Sequence, residues 1–230
     1  KRQDQVSLRV LAFLKDLDNE ALPEVTIQSG RCARCLTCLR LCPHAAIDVG
    51  PRISVVTEAC QSCGICVAGC PAGAIEMEGV HLEADIDRRL QAPAATVDAA
   101  DQTAPIMVFG CARSAAQALT VARDMGHVLP AQVQFVEVPC GGTISSNHLL
   151  SAFEAGAPGV MLCTCHTDNC QSQIGNQVAC KRAEGVRELI RAAGLESDRL
   201  RFATLAANMG NELIFMIKDF VDQIGSLDDS

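Results

Sequence analysis

The sequence contains no tryptophan and no tyrosine, and aromatics make up only 3% of its 230 residues. Aromatic side chains usually supply large, rigid blocks of core surface, so any core here must be aliphatic. Apolar residues at 49% are sufficient for one, and the length suits two ordinary domains. No apolar run approaches the roughly 18 residues needed to cross a bilayer, so no membrane span is expected. No secretory signal follows Lys1, only an amphipathic stretch, and a start on Lys rather than Met suggests processing or a piece of a longer protein. Basic stripes are also missing: the formal charge is −8, which argues against a nucleic-acid surface.

What the chain has instead is cysteine, fourteen in all. A secreted disulfide scaffold would be shorter, with its bridges scattered over loops. Here eight cysteines lie in two dense runs and six are spread through an aliphatic segment, which points to bound metal in a reducing, cytoplasmic compartment. Cys32, Cys35, Cys38 and Cys42-Pro43 are echoed by Cys60, Cys63, Cys66 and Cys70-Pro71. Both runs read C-x2-C-x2-C-x3-C-P, the bacterial ferredoxin spacing, in which the fourth cysteine of each run ligates the other run's cluster. Under that rule Cys32, Cys35, Cys38 and Cys70 hold one 4Fe-4S cluster, and Cys60, Cys63, Cys66 and Cys42 hold the other. The tails PHAAIDV and PAGAIEM match as well, each reading as a short helix followed by a strand. Paired zinc sites or two disulfide knots are the competing readings, and the doubled spacing disfavours both.

Residues 91–104 are small, polar and proline-bearing, as in a linker. Beyond them short apolar runs alternate with amphipathic segments. Strands are expected at 105–110, 132–138, 159–164 and 200–206, and helices at 114–126, 145–156, 176–193 and 210–224. Four β–α repeats imply a parallel sheet with helices on both faces, an α/β flavodoxin-like doubly wound domain. Cys111 and Cys140 follow the first two strands, and Cys165 and Cys170 lie in the loop after the third. All four are therefore expected at the carboxyl edge, where such sheets bind ligands. Four thiolates suit either a 2Fe-2S cluster or a structural zinc, and the neighbouring cysteine runs favour iron–sulfur. Cys163 lies inside the third strand and is expected to pack as a small hydrophobe, with a ligand role as its alternative. Cys180 reads as a helix-face thiol, and His166 as a hydrogen-bonded loop residue rather than a ligand.

VFGCA (108–112), VPCGG (138–142), CTCHTDNC (163–170) and the stretch 175–202 resemble the delta subunit family of methyl-viologen-reducing hydrogenase. The resemblance implies a 2Fe-2S cluster, which maps onto Cys111, Cys140, Cys165 and Cys170. One position departs from the family pattern: Ser114 stands where a further cysteine is usual, and were that thiol a ligand, Cys163 or Ser114 would be needed in the assigned set. The order of modules is similar to the C-terminal end of proteins like the A subunit of heterodisulfide reductase. The B subunit of quinone-interacting membrane-bound oxidoreductase has that arrangement too. In those groups a flavin domain precedes the ferredoxin, and the segment 6–17 would be the exit from it. No G-x-G-x-x-G fingerprint occurs, so FAD is expected on a partner or on a missing N-terminal region.

The expected organisation is an N-terminal helix and linker (1–25), an α+β bacterial-ferredoxin-like domain (26–90), a linker (91–104) and the α/β domain (105–230). The expected function is an electron relay between a flavin or ferredoxin and a partner flavoprotein, reductase, dehydrogenase or hydrogenase subunit. No nucleic acid is expected as partner, and any membrane association would run through other subunits. The rival readings are a zinc-binding docking scaffold and a thiol enzyme using Cys165.

Overall fold

A computed structural model describes residues 22–91 and 104–228. The segment expected as a helix over 6–17 and most of the expected linker lie outside the described residues.

The first unit is built twice from the same pattern. β1 (Val25–Ile27) pairs antiparallel with β4 (Ile75–Met77), and β2 (Ile47–Val49) pairs antiparallel with β3 (Ile53–Val55). Each cysteine run carries one short helix, α1 (Thr37–Leu41) or α2 (Ile65–Ala68). Alternation along β4 buries Ile75 and Met77 and exposes Glu76, as a one-sided sheet requires. Three-residue strands in two-stranded sheets are marginal alone. Their small core joins Val25, Ile47, Ile53, Ile75 and Met77 to Cys38 and Cys66, so the cysteines are part of the packing.

The duplication extends to the backbone. Arg34 and Ser62 have φ of 52° and 48°, Leu36 and Gly64 have 59° and 69°, and Ala45 and Gly73 have 51° and 55°. Each pair occupies equivalent places in the two runs. Left-handed conformations at non-glycine residues are uncommon, and their recurrence at matched positions marks them as a requirement of the loop.

The second unit holds β5 (Ile106–Cys111), β6 (Val133–Val138), β7 (Val160–Thr164) and β8 (Leu200–Thr204) in one parallel sheet of order β6-β5-β7-β8. Every residue of β5 and β7 is buried, as expected of parallel strands covered on both faces. The pleat sends Met107 and Phe109 into one core and Ile106 and Val108 into the other. α5 (Ser146–Glu154) and α6 (Gly175–Ala192) cover the first face, and α4 (Ala115–Asp124) and α7 (Gly210–Asp228) cover the second. Ser145 starts α5 with a capping box shared with His148. These elements match the expected β–α repeats to within a few residues at their ends.

A further helix, α3 (Leu82–Gln91), was not among the expected elements. It buries Leu82 and Ile86 in the first-face core of the sheet, and Arg89 donates to the Phe135 carbonyl at 3.1 Å. The stretch 82–91 therefore packs with the α/β unit rather than with the cysteine repeats. Among the described residues no helix is long and apolar enough to cross a membrane.

Candidate metal centres

All fourteen cysteines carry free thiols. Cys32, Cys35, Cys38 and Cys70 line one small cavity, closed on its apolar side by Ile53 and Ile75. Cys70 comes from the second run, so the crossing expected from the spacing is present as a spatial neighbourhood. Burial raises the Cys38 pKa, and the nearby Cys32 and Cys70 sulfurs push it further the same way. Cys35 is exposed, and the Thr37 hydroxyl 3.4 Å from its sulfur lowers its pKa.

The second set behaves in parallel. Burial pushes Cys66 up to about 12, with Cys63, Cys42 and Cys60 adding to the rise. Cys63 is raised by burial, then by Cys42 and Cys60. The fourth cysteine of each run is held identically: the Ala46 amide lies 3.3 Å from Cys42 Sγ, and the Ala74 amide 3.3 Å from Cys70 Sγ. The alternating left-handed residues around Cys35 and Cys63 give each loop the backbone form of an anion-binding nest, which suits a negatively charged cluster.

At the carboxyl edge of the sheet, Cys111 ends β5, Cys140 follows β6, Cys165 follows β7, and Cys170 ends the turn Thr167–Asn169. Cys111 Sγ and Cys165 Sγ are 3.7 Å apart. Two thiolates on one tetrahedral metal, with metal–sulfur bonds of about 2.3 Å, are separated by roughly that much. The four sulfurs form a ring of neighbours, Cys111–Cys140–Cys170–Cys165. Cys140 and Cys165 lower the Cys111 pKa, and the same two lower that of Cys170. Cys140 and Cys165 are raised in turn, Cys165 by Cys111, Cys170 and burial, with the Ser114 hydroxyl opposing. Among the described residues no three His, Cys, Asp or Glu side chains are set as a single-ion site.

The chain keeps this edge clear. A Cβ at Gly175, the first residue of α6, would strike Cys140 Sγ and lie 3.4 Å from Cys170 Sγ. Only glycine leaves that space beside the thiols. Asn176, buried next to it, donates to the Cys165 carbonyl at 3.1 Å and the His166 carbonyl at 2.8 Å, shaping the loop that carries Cys165 and Cys170. His166 itself turns away and lies 3.1 Å from Thr204 Oγ1. Cys163 is fully buried in the second-face core, its pKa pushed up to about 12 by burial, and is not among the edge thiols. Cys180 on α6 lies 3.5 Å from Glu184 Oε1, also apart from them.

The two units meet at these sites. Cys63, Ile65 and Cys140 form one buried cluster, flanked by Leu41, Cys170 and Ile174. Thr143 Oγ1 donates to the Cys63 carbonyl at 2.9 Å. Gly142 is pressed against Ile65, whose Cγ1 would stand 2.5 Å from an added Cβ. Arg182 closes the back of this loop by donating to the Gly142 and Ile144 carbonyls at 2.7 and 2.8 Å. A cavity of about 630 Å³ opens beside the junction, lined by Ser62, Cys63, Arg113, Glu137 and Ser172. Sequence reasoning missed Ile65, Thr143, Ser172, Gly175 and Asn176. The glycine pair at 141–142 was the one signal that a close approach occurs here.

A 4Fe-4S dicluster domain matches residues 24–71, so the chain contains a 4Fe-4S domain. The iron-sulfur D subunit of the F420-non-reducing hydrogenase of Archaeoglobus profundus is 27% identical over 115 residues, half of this chain and 84% of that protein. Its vhc counterpart, the iron-sulfur D subunit of Methanococcus voltae, is 26% identical over 98 residues, 43% of this chain and 68% of that protein. The A subunit of the ferredoxin:CoB-CoM heterodisulfide reductase of Methanosarcina mazei is 30% identical over 95 residues, 41% of this chain but only 12% of that protein. The methyl-viologen-reducing hydrogenase delta subunit model matches residues 106–228, more than half of the chain, and the chain belongs to that family.

Proposed function

We propose that this chain is an iron–sulfur electron relay within a multisubunit oxidoreductase. In this reading Cys32, Cys35, Cys38 and Cys70 hold one 4Fe-4S cluster, and Cys60, Cys63, Cys66 and Cys42 hold a second. Cys111, Cys140, Cys165 and Cys170 hold a 2Fe-2S cluster at the edge of a flavodoxin-like sheet. The strand order β6-β5-β7-β8 supports the flavodoxin-like part of the reading. Clusters of these kinds supply one-electron storage with no bond made to a substrate.

The observation that carries the proposal is the shared burial of Cys63 and Cys140. Ligands of two different sites meet in one packed cluster, and Thr143 and Ile65 fix the contact. In this reading the chain's own residues hold the sites, pack between them and set their charge environment. A thiol enzyme at Cys165 calls for an accessible sulfur, whereas Cys165 is buried with the Cys111 sulfur 3.7 Å away.

The curated relatives named above are hydrogenase and heterodisulfide reductase subunits. The partners proposed here are accordingly flavoprotein, reductase, dehydrogenase or hydrogenase subunits, with FAD on a partner or on sequence preceding Lys1. Fourteen cysteines with no disulfide among them suit a reducing compartment such as the cytoplasm. Metal analysis of the purified chain tests the reading: iron and sulfide should be about ten each per chain. Iron near eight with stoichiometric zinc removes the third cluster, and zinc alone with no spectral change on reduction leaves the scaffold.

A further inference from the structure

Ser114 occupies the N-cap of α4, where a serine ordinarily accepts a hydrogen bond from an amide of the first turn. Here its φ of −139° and ψ of −76° come with no side-chain capping bond. Its backbone amide is used, donating to the Cys111 carbonyl at 3.1 Å. The side chain is only 2% exposed, and its hydroxyl has no hydrogen-bond partner among the described residues. A buried hydroxyl in that condition is costly and uncommon, and calls for a missing acceptor.

The neighbours narrow the choice. Ala115, Ala118 and Leu119 on the same helix are buried in the second-face core and offer no side-chain acceptor. On the other side stand the edge thiols: Ser114 is three residues from Cys111, its amide is tied to the Cys111 carbonyl, and Cys111 Sγ lies 3.7 Å from Cys165 Sγ.

We infer that the Ser114 hydroxyl donates a hydrogen bond to a sulfur of the cluster held by Cys111, Cys140, Cys165 and Cys170, and so tunes its reduction potential. The inference rests on the third-cluster reading above. Ser114 is then a tuning residue, not a ligand. A donor aimed at an electron-rich sulfur favours the more negative, reduced state and raises the potential.

The experiment uses the full chain with its metal content measured first. In Ser114→Ala the third centre should still load, its midpoint potential should shift downward, and the potentials of the two 4Fe-4S centres should stay put. The reduced third centre should lose an exchangeable-proton coupling seen in water and absent in deuterium oxide. Ser114→Thr, which keeps the hydroxyl, should restore both. An unchanged potential with the coupling retained overturns the inference and leaves the third cluster standing. Failure of both variants to load assigns Ser114 to packing, which also overturns it. Iron near eight in the unaltered chain is recognised before any variant is made; it removes the third-cluster reading and this inference together.

Discussion

Thr143 and Cys63 are 80 residues apart in the chain, yet the hydroxyl of one donates to the carbonyl of the other at 2.9 Å in a buried contact. Of the two cysteine runs, the second is thereby fixed against the thiol edge of the sheet. In the fully reduced chain, the paramagnetic signal of the third centre should be split or broadened by a neighbour. Cys60→Ser should alter that splitting and Cys35→Ser should leave it intact. A splitting that follows Cys35 instead would reverse the order of sites.

Gly175→Ala places a methyl group on Cys140 Sγ. Iron should fall from about ten to about eight per chain while the ferredoxin-type absorption persists. Gly185 lies in the same helix with nothing within 4 Å of an added Cβ. Gly185→Ala should therefore load fully and stabilise the chain by about 0.5–1 kcal/mol, read as a higher thermal midpoint.

Exchange of the fourth ligands is checked by paired variants. Cys42→Ser should perturb the signal of the Cys60, Cys63 and Cys66 set, because Cys42 is a neighbour of Cys63 and Cys66. Cys70→Ser should perturb the other set, since Cys70 lines the cavity with Cys32, Cys35 and Cys38. Spectra of the two variants that showed each run disturbed by its own fourth cysteine would contradict the crossing.

Cys163→Ala removes a sulfur from the second-face core and should cost on the order of 1 kcal/mol of stability without loss of iron. Cys180→Ala should change neither. Cys111→Ala should lose the third centre alone. Iron counts and thermal midpoints on the three variants separate the roles, and loss of the third centre in Cys163→Ala but not Cys111→Ala would move the site onto β7.

The grouping of the cysteines was readable because a tight loop fixes local spacing, and Cys32 to Cys42 fall within eleven residues. The strands were readable for a related reason: β5 and β7 are buried throughout, so they stand out as unbroken apolar runs. What stayed hidden depends on distant pairs. Thr143 is an ordinary threonine until Cys63 is set beneath it, and Ser172 an ordinary loop serine until its place beside the junction cavity is known. Gly175 looks like any glycine at a helix start, since nothing local announces Cys140. α3 escaped because its apolar face is narrow, with Leu82 and Ile86 as its buried contacts in the sheet core.

The twin cysteine loops share their backbone angles but not their surroundings. Ala33, Arg34 and Cys35 are exposed or nearly so, whereas Ser62 and Cys63, the counterparts of the last two, are buried, with Gly64 beyond them. Leu36 keeps a side chain where its twin Gly64 cannot, because Thr143 Oγ1 would stand 2.6 Å from a Cβ there. A duplicated unit has no intrinsic front or back, and either half could serve as its inlet. Pressing the sheet against one half breaks that equivalence: the loop of Cys63 is enclosed and the loop of Cys35 faces outward.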